Sequence, residues 1–266
     1  MPVRSSQVSF STKNIDLAGL YFVPGDAAEA DSASSPDVSW PGIVMLHDYF
    51  GLDEWTVSAA QRLAEAGFAV AVPNLFHASG EPKDIASATA LLDFTMGLAD
   101  SDLIGYAISA LNWLGQRPEV RPGAYGMAGW GWGGAYALMA GAYDARISAV
   151  ADIGGAISYP AATARKPGSP LNFVASLNGP FFAAFPSGDP LLPLNEVDRL
   201  RARLKMDDKQ GEVKIYSDTP AHFWRDAKLP QTELLWRRLG TFLDDNIQLQ
   251  EVWSEGYPNE ELLFHA

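Results

Sequence analysis

Short apolar runs alternate with longer stretches of helical periodicity along nearly the whole chain, and this alternation restricts the fold more than any other feature. The runs "PGIVMLH", "FAVAVP", "AYGMAG", "ISAVADIG", "PFFAAF" and "EVKIYS" are too short for core helices, and each predicts a buried strand. "QVSF" and "LAGLYFVP" predict two opening strands around a turn at "KNID". Helices are expected over "EWTVSAAQRLAEAG", part of 84–95, 100–114, the stretch after the glycine run through Met139, "NEVDRLRARLKM" and "LPQTELLWRRLGTFLDDNI". In the third of these, Asp100 or Ser101 offers an N-cap and Gly115 a stop. Such alternation predicts an α/β fold with a mostly parallel central sheet and helices on both faces, whose ligands bind beyond the carboxyl ends of the strands.

A hydrophobic content of 47% over 266 residues is enough for one large core, so a single domain spanning 1–266 is expected. The acidic, apolar-poor stretch 25–39 predicts an exposed loop, and 248–266 a C-terminal tail. Proline and glycine interrupt 155–179, which predicts a short cap or lid with Phe173 and Phe181 in its apolar wall. A formal net charge of −13 argues against nucleic acid and anionic membranes as partners. With no cysteine, disulfides and thiolate catalysis are excluded. The opening residues lack the apolar core of a signal peptide and no 18-residue apolar run occurs, so a soluble, cytoplasmic protein is expected, as monomer or homodimer.

Chemistry-bearing residues collect at the predicted strand ends. These are His47 and Asp48 in "VMLHDYFG", Trp130, Gly131 and Trp132 in "MAGWGWGG", Asp189 in "AFPSGDP", and His222 in "YSDTPAHFW". Strand, glycine-rich turn and helix, followed by an acid and then a histidine, is the chain order of the α/β-hydrolase triad. In that triad the acid fixes the imidazole tautomer and the imidazole takes a proton from the nucleophile. Here the elbow's centre is Gly131, which has no side chain to attack with. Four histidines without HExxH spacing make a metal centre unsupported, and the mid-chain glycines lack the context of a dinucleotide site, so no cofactor is expected.

The chain resembles the dienelactone hydrolase family of α/β-hydrolases, whose Gly-x-Cys-x-Gly-Gly elbow is matched by "GWGWGG". "PGIVMLHDYFGLDEW", "LAEAGFAVAVPNLF", "FPSGDPLLP" and "YSDTPAHFW" resemble further family segments in the same order. The resemblance implies Asp189 as triad acid, His222 as base, and Asp48 at the family's glutamate facing the nucleophile. It implies Gly131 as a vacant nucleophile position. The family's substrate-gripping arginine is replaced by Ala78, beside His77.

Amides of Trp132 and Tyr49 are the candidate pair for holding an oxyanion or carboxylate. His47, His77, Trp130 and Phe173 are candidate pocket residues, core packing being the alternative for the tryptophan. These features support a dienelactone hydrolase-like protein impaired or inactive in classical hydrolysis but retaining a pocket for a small ester, lactone or carboxylate. Two alternatives remain: hydrolysis by water activated by His222 with Asp189 or by Asp48, and a cofactor-free lyase, isomerase or oxygenase-like reaction with His222 as base.

Overall fold

The computed structural model describes residues 1–12, 15–25 and 39–247; most of the expected 25–39 loop and all of the 248–266 tail lie outside them. Eight strands form one sheet in the order β1-β2-β4-β3-β5-β6-β7-β8. They are β1 Val3–Ser11, β2 Asp16–Pro24, β3 Trp40–Leu46, β4 Ala69–Pro73, β5 Val120–Trp130, β6 Ile147–Ile153, β7 Phe181–Gly188 and β8 Gly211–Pro220. β2 runs antiparallel to β1 and to β4, and every other pairing is parallel. The helices are α1 Glu54–Glu65, α2 Ala88–Gly97, α3 Asp100–Leu114, α4 Trp132–Tyr143, α5 Leu194–Met206 and α6 Pro230–Ile247. This is the mostly parallel α/β sheet that the alternating pattern predicts, in the α/β-hydrolase fold that the resemblance implies.

Period-two side-chain alternation divides the core into two layers. Val44 and Leu46 of β3 join Phe181, Ala183 and Phe185 of β7 in the layer covered by α3, α4 and α5. Ile43 and Met45 join Phe182 and Ala184 in the layer covered by α1 and α6. The tryptophans around the elbow obey the same rule. Trp130 ends β5 in the α1/α6 layer, whereas Trp132 opens α4 in the other. Gly131 between them makes the reversal, with φ 52° and ψ −128°, a backbone state that favours glycine.

The segment 155–179 is fastened down. Its 3-10 turn, Pro170–Ser176, packs against α4 and α5, and Leu171 N–H bonds the Ile157 carbonyl at 3.0 Å. Lys166 is fully buried, with Nζ 2.7 Å from Asp100 Oδ1 and a second bond to the Tyr136 hydroxyl. The Tyr159 hydroxyl donates to the same Asp100 oxygen at 3.1 Å. Asp100 is therefore not an N-cap, as expected from sequence, but the first residue of α3, directed into a buried ion pair. Ala99 is the cap, without a side-chain bond. Phe181 begins β7 fully buried in the same core layer as Val174 and Leu177 of this segment, rather than in the wall of a cap.

Candidate functional site

A cleft of about 210 Å³ opens beside the elbow. Gly131, Trp132, Tyr49, Asp189, His222 and Gly154 line its chemical side, and Ile85, Leu91, Leu191 and Leu192 supply apolar walls. The strand ends bring these groups together: β3 leads to Asp48 and Tyr49, β5 to Gly131, β7 to Asp189 and β8 to His222.

Asp48 is the centre of the arrangement and is fully buried. Its Oδ1 accepts the Tyr49 N–H at 2.7 Å, and its Oδ2 lies 2.7 Å from His222 Nδ1. The carboxylate occupies the space that an elbow side chain would enter, because a Cβ placed on Gly131 would overlap both Asp48 oxygens. Gly133 serves packing instead: a Cβ there would strike the Leu46 and His47 carbonyls.

The partner of His222 differs from the expected one. Asp48, not Asp189, hydrogen-bonds the ring. Asp189 Oδ1 accepts the Leu191 N–H at 2.8 Å, closing its own turn, and acts on His222 through charge alone. With the Asp48 carboxylate at Nδ1, the neutral ring carries its proton there and Nε2 is its basic nitrogen. Burial by itself would lower the His222 pKa, but the Asp48 bond and the charges of Asp48 and Asp189 outweigh it, and the net shift is upward. Burial also raises the Asp189 pKa.

His222 is held in the left-handed region, φ 58°, a state that costs a non-glycine residue on the order of 1 kcal/mol or more. The 3-10 turn after it, Phe223–Arg225, is anchored by an Arg225–Asp53 ion pair to the N-cap of α1, and Thr232 Oγ1 donates to the Phe223 carbonyl at 2.8 Å. Arg225 also stacks over Phe50, which contacts the His222 ring edge-on.

Several expected site residues lie elsewhere. His47 is buried, its Nδ1 bonding the Asp48 carbonyl at 2.8 Å and its Nε2 accepting the Leu75 N–H at 2.9 Å. Desolvation lowers its pKa to about 4, so it is a neutral structural link between strand ends. His77 is exposed, with Nδ1 3.5 Å from the Ala18 amide nitrogen. Trp130 packs against Trp55 and Trp236 beneath the sheet end, since strand alternation turns it away from the cleft. Phe173 is held by the 3-10 turn against the α3–α5 layer. Of 155–179 only Ala156 lines the cleft. The Tyr49 amide donates to Asp48 and so is not open to a ligand, whereas Trp132 begins α4, where first-turn amides lack intrahelical acceptors.

Sequence reasoning missed the cleft walls at 85–91 and 190–192. The available signal was large apolar residues in polar loops: Ile85 and Leu191 remain 43% and 38% exposed at the rim. Among the described residues no His, Asp and Glu side chains cluster as a metal site, and no helix is long and apolar enough to cross a membrane.

The chain is similar to several known proteins. A Salmonella typhi protein assigned as a carboxymethylenebutenolidase is 24% identical over 217 residues, covering 79% of each chain. A Bradyrhizobium protein assigned as a 2-oxo-3-(5-oxofuran-2-ylidene)propanoate lactonase is 27% identical over 193 residues, 71% of this chain and 77% of that one. The crystal structure of a protein assigned as a dienelactone hydrolase, from Klebsiella pneumoniae subsp. pneumoniae MGH 78578, superposes with a TM-score of 0.81 at 17% identity, over 92% of this chain and 99% of that one. The Dienelactone hydrolase family profile matches residues 28–244, more than half of the sequence, and the chain therefore belongs to the dienelactone hydrolase family, with a glycine at its elbow.

Proposed function

We propose that this protein binds a small ester or lactone in the elbow cleft without forming an acyl-enzyme. One observation carries the reading: the Asp48 carboxylate fills the place of the elbow side chain and is held there by the Tyr49 amide and His222. Covalent hydrolysis needs an activated nucleophile and donors free to meet the oxyanion. The elbow supplies no nucleophile, and one of the expected donors is already engaged. The roles follow from position. Trp132, Tyr49, Leu91 and Leu192 form the walls, His222 and Asp189 supply the polar contacts, and Asp48 positions His222.

A second reading is favoured by the contact of half-buried His222, on a strained backbone, with the buried Asp48 carboxylate. His222, tethered through Nδ1, would accept a proton from water or from a carbon acid through Nε2. The test is incubation with an activated acetate ester, following product release and intact mass, for the parent and H222A. Non-covalent binding predicts no burst and no acyl adduct in the cleft. Slow steady turnover lost in H222A would select the second reading, and an adduct on a cleft residue would reject both.

A further inference from the structure

We infer that the cleft selects a ligand bearing an ammonium group, and this rests on reading the cleft as the ligand site. Among the described residues, the charged groups lining the cleft are Asp189 on the rim and His222, with the Asp48 carboxylate fully buried and bonded to His222. Even with His222 protonated, its charge is matched by the hydrogen-bonded Asp48, which leaves Asp189 without a counter-charge of its own.

Among the described residues, no arginine or lysine lines the cleft. The neighbouring cations are committed elsewhere. Lys166 lies 6.0 Å from the Trp132 ring centre but is fully buried and paired with Asp100. Arg225 is paired with Asp53 and stacked over Phe50. Lys83 and Asp84, one charge of each sign, lie on the segment leading to the Ile85 wall.

The Tyr49 ring favours the same ligand class independently of the carboxylates. It lines the cleft and stacks on Trp132, planes 16° apart at 6.1 Å between centres, while Trp132, 2% exposed, is also covered by Phe76. Aromatic faces attract organic cations. The chain's net charge of −13 adds long-range attraction for a cation and repulsion for an anion. A carboxylate ligand would meet Asp189 with no guanidinium to receive it, so the small acid considered from sequence is the disfavoured member of the ligand set.

A matched series of probes tests this: benzylamine, benzyl alcohol and sodium benzoate, measured by calorimetry or NMR titration at neutral pH against the parent, D189N and the cleft-filling A156W. The side-chain amide oxygen introduced by D189N can still accept the Leu191 N–H, so this variant removes the charge while keeping the turn. The expected result is benzylamine binding about tenfold or more tighter than benzyl alcohol, benzoate binding weakest, and all binding abolished in A156W. In D189N the amine should fall to near the alcohol, and added salt should narrow the preference in the parent. Alcohol binding in the cleft with no amine preference, or a preference untouched by D189N, overturns the charge inference while leaving the cleft reading intact. Failure of every probe to bind, or binding unaffected by A156W, overturns both.

Discussion

At the residue scale, the site depends on which groups meet at the elbow and in what protonation state. Because its folded pKa is raised above the ordinary value of 6.5, His222 stabilises the fold below that value, and this contribution is lost as pH rises through the raised pKa. Proton-accepting capacity has the opposite dependence, appearing as pH rises through the same point. An NMR titration of His222 should therefore give a pKa above 6.5 in the parent and a lower one in D48N; equal values would remove Asp48 from its positioning role. Asp152 offers a second pH test. Desolvation raises its pKa to about 7, against the lowering effect of the Gly155 N–H bond, and its Oδ2 has no partner among the described residues. Its destabilising effect grows as pH rises from the unfolded carboxyl value toward 7 and then levels off. D152N should thus raise the melting temperature at pH 8 more than at pH 4, and an equal effect at both would show that Asp152 ionisation carries no cost.

At the element scale, strands and helices were legible because their periodicities are local, while long-range pairings were not. α3 ends before Gly115, as its sequence implies, yet its expected capping acid serves Lys166, 66 positions away. The proline and glycine breaks in 155–179 revealed irregular backbone but not the surface that receives it. The same limit applies to His222. Chain order and family resemblance favoured Asp189, but the turn after β7 directs that carboxylate to its own backbone, while β3, next to β5, delivers Asp48 to the elbow. If the Lys166–Asp100 pair fastens 155–179 to α3 and α4, K166M should lower stability by about 3–5 kcal/mol in a denaturant melt by leaving Asp100 buried and unpaired. D100N/K166M should recover part of that loss. A loss within about 0.5 kcal/mol for K166M would mean that the segment is held by packing alone.

At the scale of the whole molecule, one eight-stranded sheet carries a strand-to-helix turn whose central residue is glycine, and a carboxylate from a neighbouring strand end fills the space beside it. That arrangement sets a specific steric relation between positions 48 and 131. Peptide mapping by mass spectrometry after treatment with an activated acetate ester, comparing parent, G131S and G131S/D48A, tests it most directly. The account predicts no acetyl group at position 131 in the parent or in G131S, where Asp48 obstructs the new hydroxyl, and slow acetylation of that serine once D48A clears the space, slow because His222 then lacks the carboxylate that orients it. Acetylation of G131S as fast as the double variant, or an acetylated cleft residue in the parent, would contradict it.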